Sequence, residues 1–207
     1  MTLHPGRIFA FLTGRKQRIS ARGSAALRAR THGLPSQVDV RPVFTSILVA
    51  GGVRQFSIRA EHPQITQLLL DAVRALPGPL GVAIVELGEP TREWVGTGAS
   101  RAEVLEAILA MRDLLGRGSL DVAVFSGHEG VEIYLDRAGL LEFRVQSSWE
   151  PRARSLLETG GFMWAARLTP AWAPSGTLTL EARERVSAVA TFLELRVAPT
   201  PYRARRS

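Results

Sequence analysis

The chain contains no cysteine. Disulfides, zinc–thiolate sites, iron–sulfur clusters and a cysteine nucleophile are therefore excluded, and the redox compartment leaves no trace. Histidine is scarce, with only His4, His32, His62 and His128, so acid–base chemistry has few candidates. Lysine is scarcer still: Lys16 is the one lysine among 26 basic residues. No apolar run approaches the roughly 18–20 residues of a membrane span. The segment Ile8 to Leu12 is also shorter than the roughly 7–15 apolar residues at the core of a secretory signal. Nowhere is there a G-x-S-x-G elbow, an H-E-x-x-H helix, a kinase signature or a P-loop. Neither a metal nor a cofactor is expected.

Acidic residues are missing from both ends. Residues 1–37 carry Arg7, Arg15, Lys16, Arg18, Arg22, Arg28 and Arg30 without one Asp or Glu. Residues 201–207 carry Arg203, Arg205 and Arg206, again without an acid. Ten of the 26 basic groups thus lie at the ends, which leaves 16 against 19 acidic groups in residues 38–200, a net of −3. The overall net charge of +7 belongs to the ends. Positive charge gathered in this way points to an anionic partner more strongly than a high isoelectric point does.

What remains is a body of ordinary globular composition, 45% apolar and 22% charged, long enough to bury a real core. Three regions follow: a flexible basic arm and linker at 1–37, a body at 38–199 and a basic tail at 200–207. In the body, "VFTSILVA" and "VRQFSIRA" read as a hairpin turned by Gly51-Gly52, with Arg54, Phe56, Ile58 and Ala60 on its more apolar face. A helix opened by Pro63 places Ile65, Leu68, Leu69, Ala72, Val73 and Leu76 on one side. "GVAIVEL" is a buried strand, and "REWVG" returns as a short partner. Ser100-x-x-Glu103 is a capping box, opening a helix that carries Ala102, Leu105, Ile108, Leu109 and Leu115. "LDVAVFS", "VEIYLD" and "LLEFRV" are three strands, followed by a helix after "SSWEP" stopped by Gly160 or Gly161. "FMWAARL" is a strand with Trp164 in the core. A last helix near Leu180–Leu195 presents Val186, Val189, Ala190 and Leu193. The fold expected is α+β, a mostly antiparallel sheet with amphipathic helices packed on it.

Hairpin, proline-opened helix, strand and helix occur in that order at 43–115 and again at 130–195. Two weakly related halves would produce this order. So would the ordinary alternation of an α+β domain, which is the slightly preferred account.

His128, Glu129 and Glu132 form the one compact group of residue types able to do acid–base or metal chemistry. Their placement argues against it, because His128 and Glu129 fall in a hairpin turn and Glu132 alternates with apolar neighbours along a half-buried strand. A further ligand would have to come from elsewhere, with Glu61 and His62 as candidates. "GTGASR" before a helix suits an anion, but it lacks the third glycine of a dinucleotide loop, and the capping box accounts for Ser100 and Glu103. Trp172, in the loop "TPAWAPSG", either packs on the body or anchors a protein partner.

The basic ends have several readings. Arg15, Lys16, Arg18, Arg22, Arg28, Arg30, Arg203, Arg205 and Arg206 suit the phosphates of nucleic acid. The arm could instead lie on an anionic membrane, serve as an organelle presequence, or act as a solubilising tail. A presequence does not explain the basic tail, which favours an anionic partner. The function expected is a non-catalytic assembly or adaptor subunit whose body binds a partner protein and whose ends hold an anionic surface such as nucleic acid. The alternative is a small hydrolase or transferase built around His128, Glu129 and Glu132. A cytoplasmic location is expected, or an organelle matrix if the arm is a presequence.

Overall fold

The computed structural model describes residues 41–86, 91–116, 118–168 and 177–198. The basic arm, the basic tail and Trp172 lie outside the described residues. The chain divides after Val38, and the unit Asp39–Ser207 is described by itself.

Its centre is a nine-stranded sheet in the order β8-β1-β2-β7-β6-β5-β3-β4-β9. In chain order the strands are β1 (Val43–Leu48), β2 (Arg54–Arg59), β3 (Leu80–Glu86), β4 (Arg92–Ala99), β5 (Leu120–Ser126), β6 (Val131–Leu135), β7 (Leu141–Val145), β8 (Met163–Trp164) and β9 (Arg196–Val197). All neighbours are antiparallel except β1 and β8, which are parallel. Among the described residues four α-helices accompany them: α1 (His62–Ala75), α2 (Arg101–Ala110), α3 (Glu150–Thr159) and α4 (Leu180–Phe192). The α+β fold with a mostly antiparallel sheet is the one the sequence pattern predicts.

Period-two alternation divides the sheet into two faces. Phe56, Ile58, Val124, Ile133, Leu135, Phe143 and Val145 are buried on one face, in a single cluster with the apolar stripes of the helices. The α1 stripe read from the sequence is buried throughout, from Ile65 to Leu76. The α4 stripe of Val186, Val189, Ala190 and Leu193 is buried as well. Gly51 and Gly52 turn the β1–β2 hairpin with φ of +78° and +73°, a conformation that only glycine adopts cheaply. The capping box is present: Glu103 donates its N–H to Ser100 Oγ, and Ser100 donates its N–H to the Glu103 carboxylate at 2.7 Å.

Three readings need correction. The "REWVG" segment belongs to an eight-residue strand that pairs with β3 on one side and β9 on the other. Of the α2 residues read from the sequence, Ile108 and Leu115 are buried and Leu105 packs on the core, whereas Ala102 is exposed and Leu109 is 47% exposed; Val104, Ala107 and the capping residue Met111 complete the buried side. The helix carries two overlapping apolar stripes, and packing selects the one centred on Ala107, whose small side chain admits close approach. "FMWAARL" is not a core strand. Only Met163 and Trp164 pair with β1, at the edge of the sheet, and both are exposed.

The two hairpins β1–β2 and β6–β7 meet through β2 and β7. Each leads into a helix with proline in its first turn, Pro63 in α1 and Pro151 in α3. The match is incomplete: β8 lies directly beside β1, whereas β5 separates β6 from β3. The two series of elements share one sheet.

The α2 assignment predicts a clear contrast in chemical unfolding. Ile108→Ala, at a site 2% exposed, is expected to cost about 2–5 kcal/mol. Leu109→Ala is expected to change stability by less than about 0.5 kcal/mol. Equal losses would contradict the assigned face.

Candidate functional site

The residues most suggestive of chemistry do not converge. His128 sits in the β5–β6 turn with its side chain 92% exposed, and its Nδ1 lies 3.6 Å from Glu129 Oε1. Glu132 points away into the face of β6 and pairs with Arg144 on β7, Nη1 to Oε2 at 3.5 Å. His62 is engaged elsewhere: its Nε2 lies 2.8 Å from the carbonyl of Leu115, and its ring edges Gly116, which adjoins Gly139 in the β6–β7 turn. That turn and the His128 turn lie at opposite ends of β6. Five residues at about 3.3 Å each hold them apart. Among the described residues no three His, Asp or Glu side chains are grouped to hold a metal ion.

The polar face of the sheet is more ordered than alternation alone implies. Cross-strand pairing aligns Gln55, Arg144, Glu132 and Phe125 in one row, and Ser57, Glu142, Tyr134 and Ala123 in the next. Glu142 is 1% exposed. Its Oε1 accepts hydrogen bonds from Gln55 Nε2 and Ser57 Oγ, both at 3.3 Å. The Glu132 and Arg144 side chains are also largely withdrawn from water. Glu132 was expected on a polar-out face. It is on that face, but as half of a mostly buried ion pair. Burial raises the Glu132 carboxyl above its ordinary range, while Arg144 opposes the rise. Asp121 on β5 is likewise raised by burial, against the backbone N–H of Arg137 at 2.8 Å and the hydroxyl of Tyr134. These carboxylates are held by neighbours on adjacent strands, an arrangement that fixes strand register.

Gly96 to Ala99 of "GTGASR" form the end of β4, and Ser100 is occupied as a cap. Arg101 Nη1 donates to the carbonyl of Arg74 at 3.0 Å. A shallow hollow lies there, lined by Pro77, Gly78, Pro79, Gly98, Ser100 and Arg101, and its polar groups are committed to the fold.

Sequence reasoning missed the edge of the sheet beside β1. Ile47 and Leu48 at the end of β1 are 57% and 65% exposed, and Met163 and Trp164 on β8 are 54% and 65% exposed. Met163 pairs with Val43 and so shares the polar-face side of the sheet with Ile47. Trp164 pairs with Phe44 and shares the helix side with Leu48. Four large apolar side chains therefore flank one edge on both sides. The expected anion-binding residues, Arg15 to Arg30 and Arg203 to Arg206, lie outside the described residues, as does Trp172.

The raised carboxyls set a pH dependence. A carboxyl whose folded value lies above its unfolded value favours the folded state at low pH. That contribution is lost as pH rises from the ordinary value through the folded one. Asp121→Asn retains the Oδ1 acceptor and removes the titration. Its stability relative to the parent is expected to improve as pH rises above about 3.8, the ordinary value, and to level off once Asp121 is ionised. Chemical unfolding between pH 3 and pH 8 measures this, and a difference that is flat or falls with pH would contradict it.

Comparison with protein-family models, with curated proteins and with solved structures gives no match.

Proposed function

We propose that this chain is a non-catalytic assembly or adaptor subunit: its body docks a partner protein, and its basic ends hold an anionic surface, foremost nucleic acid. The observation that carries the first half is the β1–β8 edge, where four large apolar side chains stand in solvent, two on each face of the sheet. Surfaces of this kind mark association sites, and sheet edges are a recurring place for them. Among the described residues His128, Glu132 and His62 lie apart, which counts against the hydrolase or transferase reading. The second half rests on charge alone, ten cationic groups in two acid-free ends. Arginine pairs with phosphate in a bidentate way, which suits this role.

The test compares the full chain with a variant in which Arg15, Lys16, Arg18, Arg22, Arg28, Arg30, Arg203, Arg205 and Arg206 are changed to Gln. Binding to mixed-sequence RNA, mixed-sequence DNA and anionic vesicles is titrated against salt. The full chain is expected to bind nucleic acid with log K falling linearly in log salt, by about 0.7–0.9 per phosphate contacted, and the variant is expected to lose that binding. Retention of affinity by the variant, or binding to vesicles alone, would overturn the assignment to nucleic acid.

A further inference from the structure

The chemistry around the β1–β8 edge constrains what can dock there. We infer that the edge receives an acidic segment of a partner protein, one that presents aromatic or aliphatic side chains between its acidic residues. The inference rests on the reading of this chain as an adaptor and specifies the partner at that site.

The apolar part is Ile47, Leu48, Met163 and Trp164. The charged part frames it. Arg41 immediately precedes Pro42, whose carbonyl accepts the N–H of Met163 at 3.0 Å. Arg167 follows Ala165, whose N–H is held at 2.8 Å by the carbonyl of Phe44. These backbone bonds hold the neighbours of the two arginines, Pro42 and Ala165, at the edge. Arg41 and Arg167 are exposed, and neither has an ion pair or hydrogen bond among the described residues. No acidic residue occurs from Arg41 to Gly52 or from Phe162 to Leu168. Glu150 reaches Arg54, the residue paired with Leu48, and is already shared between Arg54 and Arg154. Among the described residues the surface is therefore apolar with positive charge at its margins that no described carboxylate meets, although the body as a whole is slightly acidic.

Charge complementarity selects the occupant. A cationic segment, including the basic ends of a second copy, would bring like charge to Arg41 and Arg167. A purely acidic segment would leave the four apolar side chains in water. An acidic segment with large apolar residues satisfies both parts, burying Trp164 as the anchor. The contact need not be a long added strand, because β8 already occupies the outer side of Val43 and Phe44, leaving little of β1 to pair.

Fluorescence anisotropy on the full chain tests this with three labelled heptapeptides. One alternates Asp with Phe and Leu, the second replaces Phe and Leu by Ser, and the third replaces Asp by Lys. The Asp–Ser peptide reports charge attraction, to the basic ends and to the edge arginines, without the apolar part. The parent is expected to bind the Asp–Phe–Leu peptide at least tenfold more tightly than either of the others. Ile47→Ser with Trp164→Ser is expected to reduce the preference over Asp–Ser below twofold, and Arg41→Glu with Arg167→Glu to weaken binding about tenfold. Phe192→Ser, at an exposed apolar residue on α4, is expected to change nothing. Circular dichroism confirms that each variant is folded. Equal binding of the Asp–Phe–Leu and Asp–Ser peptides, or a preference unaffected by the edge substitutions, would overturn the inference. A preference for the Lys–Phe–Leu peptide that the Ile47→Ser, Trp164→Ser variant loses would overturn the acidic occupant and leave docking at the edge standing, so failure of this inference and failure of the docking reading are distinguishable.

Discussion

The pairing of β2 with β7 holds the molecule together. Residues about 90 positions apart in sequence meet there, Arg54 with Val145 and Ile58 with Leu141. Without that ladder the chain would form two sheets, β8-β1-β2 on one side and β7-β6-β5-β3-β4-β9 on the other. The seam is secured on both faces. On the helix face, Phe56 lies opposite Phe143, with Phe44 6.2 Å from the first ring and Trp149 meeting the second edge-on at 6.5 Å. Arg154 of α3 stands 5.5 Å over Phe56 and pairs with Glu150, which also reaches Arg54 on β2. On the polar face, Glu142 accepts from Gln55 and Ser57 across the same seam. A one-residue slip would send every one of these side chains to the wrong face.

That seam also explains where the polar residues go. Glu132, Glu142, Asp121 and Arg144 resemble an active-site inventory when read along the chain. Brought together by register, they bond to neighbours on adjacent strands, and hydrogen bonds and the Arg144 charge offset part of their cost of burial. A catalytic group needs an open coordination or a free lone pair directed at a substrate. At the edge, where the sheet ends at the two-residue strand β8, Ile47, Leu48, Met163 and Trp164 stay exposed.

Much of this fold is legible in the sequence, for a definite reason. Strands with strict alternation, such as Val131 to Leu135, and helices with one apolar stripe, such as α1 and α4, state their own geometry. The capping box and the Gly51-Gly52 turn fix element ends through local hydrogen bonding and local φ, so neighbours in sequence suffice to identify them. Where two stripes overlap, as in α2, the sequence offers both, and the neighbouring elements choose. Trp164 misleads for a related cause: an apolar residue in a short apolar run looks the same whether the sheet continues beyond it or ends. The burial of Glu142 and Gln55 depends on a register between distant strands, which no local pattern encodes. The β1–β8 edge was illegible for the same reason, since an exposed apolar surface is defined by what the rest of the chain fails to cover.

The account stands on the claim that the β1–β8 edge is where a partner docks. Site-specific photo-crosslinking tests it most directly. A benzophenone amino acid is placed at Trp164 and, in a separate protein, at Phe192 on α4, and the full chain is irradiated in the cells that express it. Cross-linked peptides are then read by mass spectrometry. The account predicts one dominant cross-link from position 164, to a segment rich in Asp or Glu with interspersed aromatic or aliphatic residues, and none of that kind from position 192. Cross-links from both positions to the same assorted proteins, or a basic segment at position 164, would contradict it.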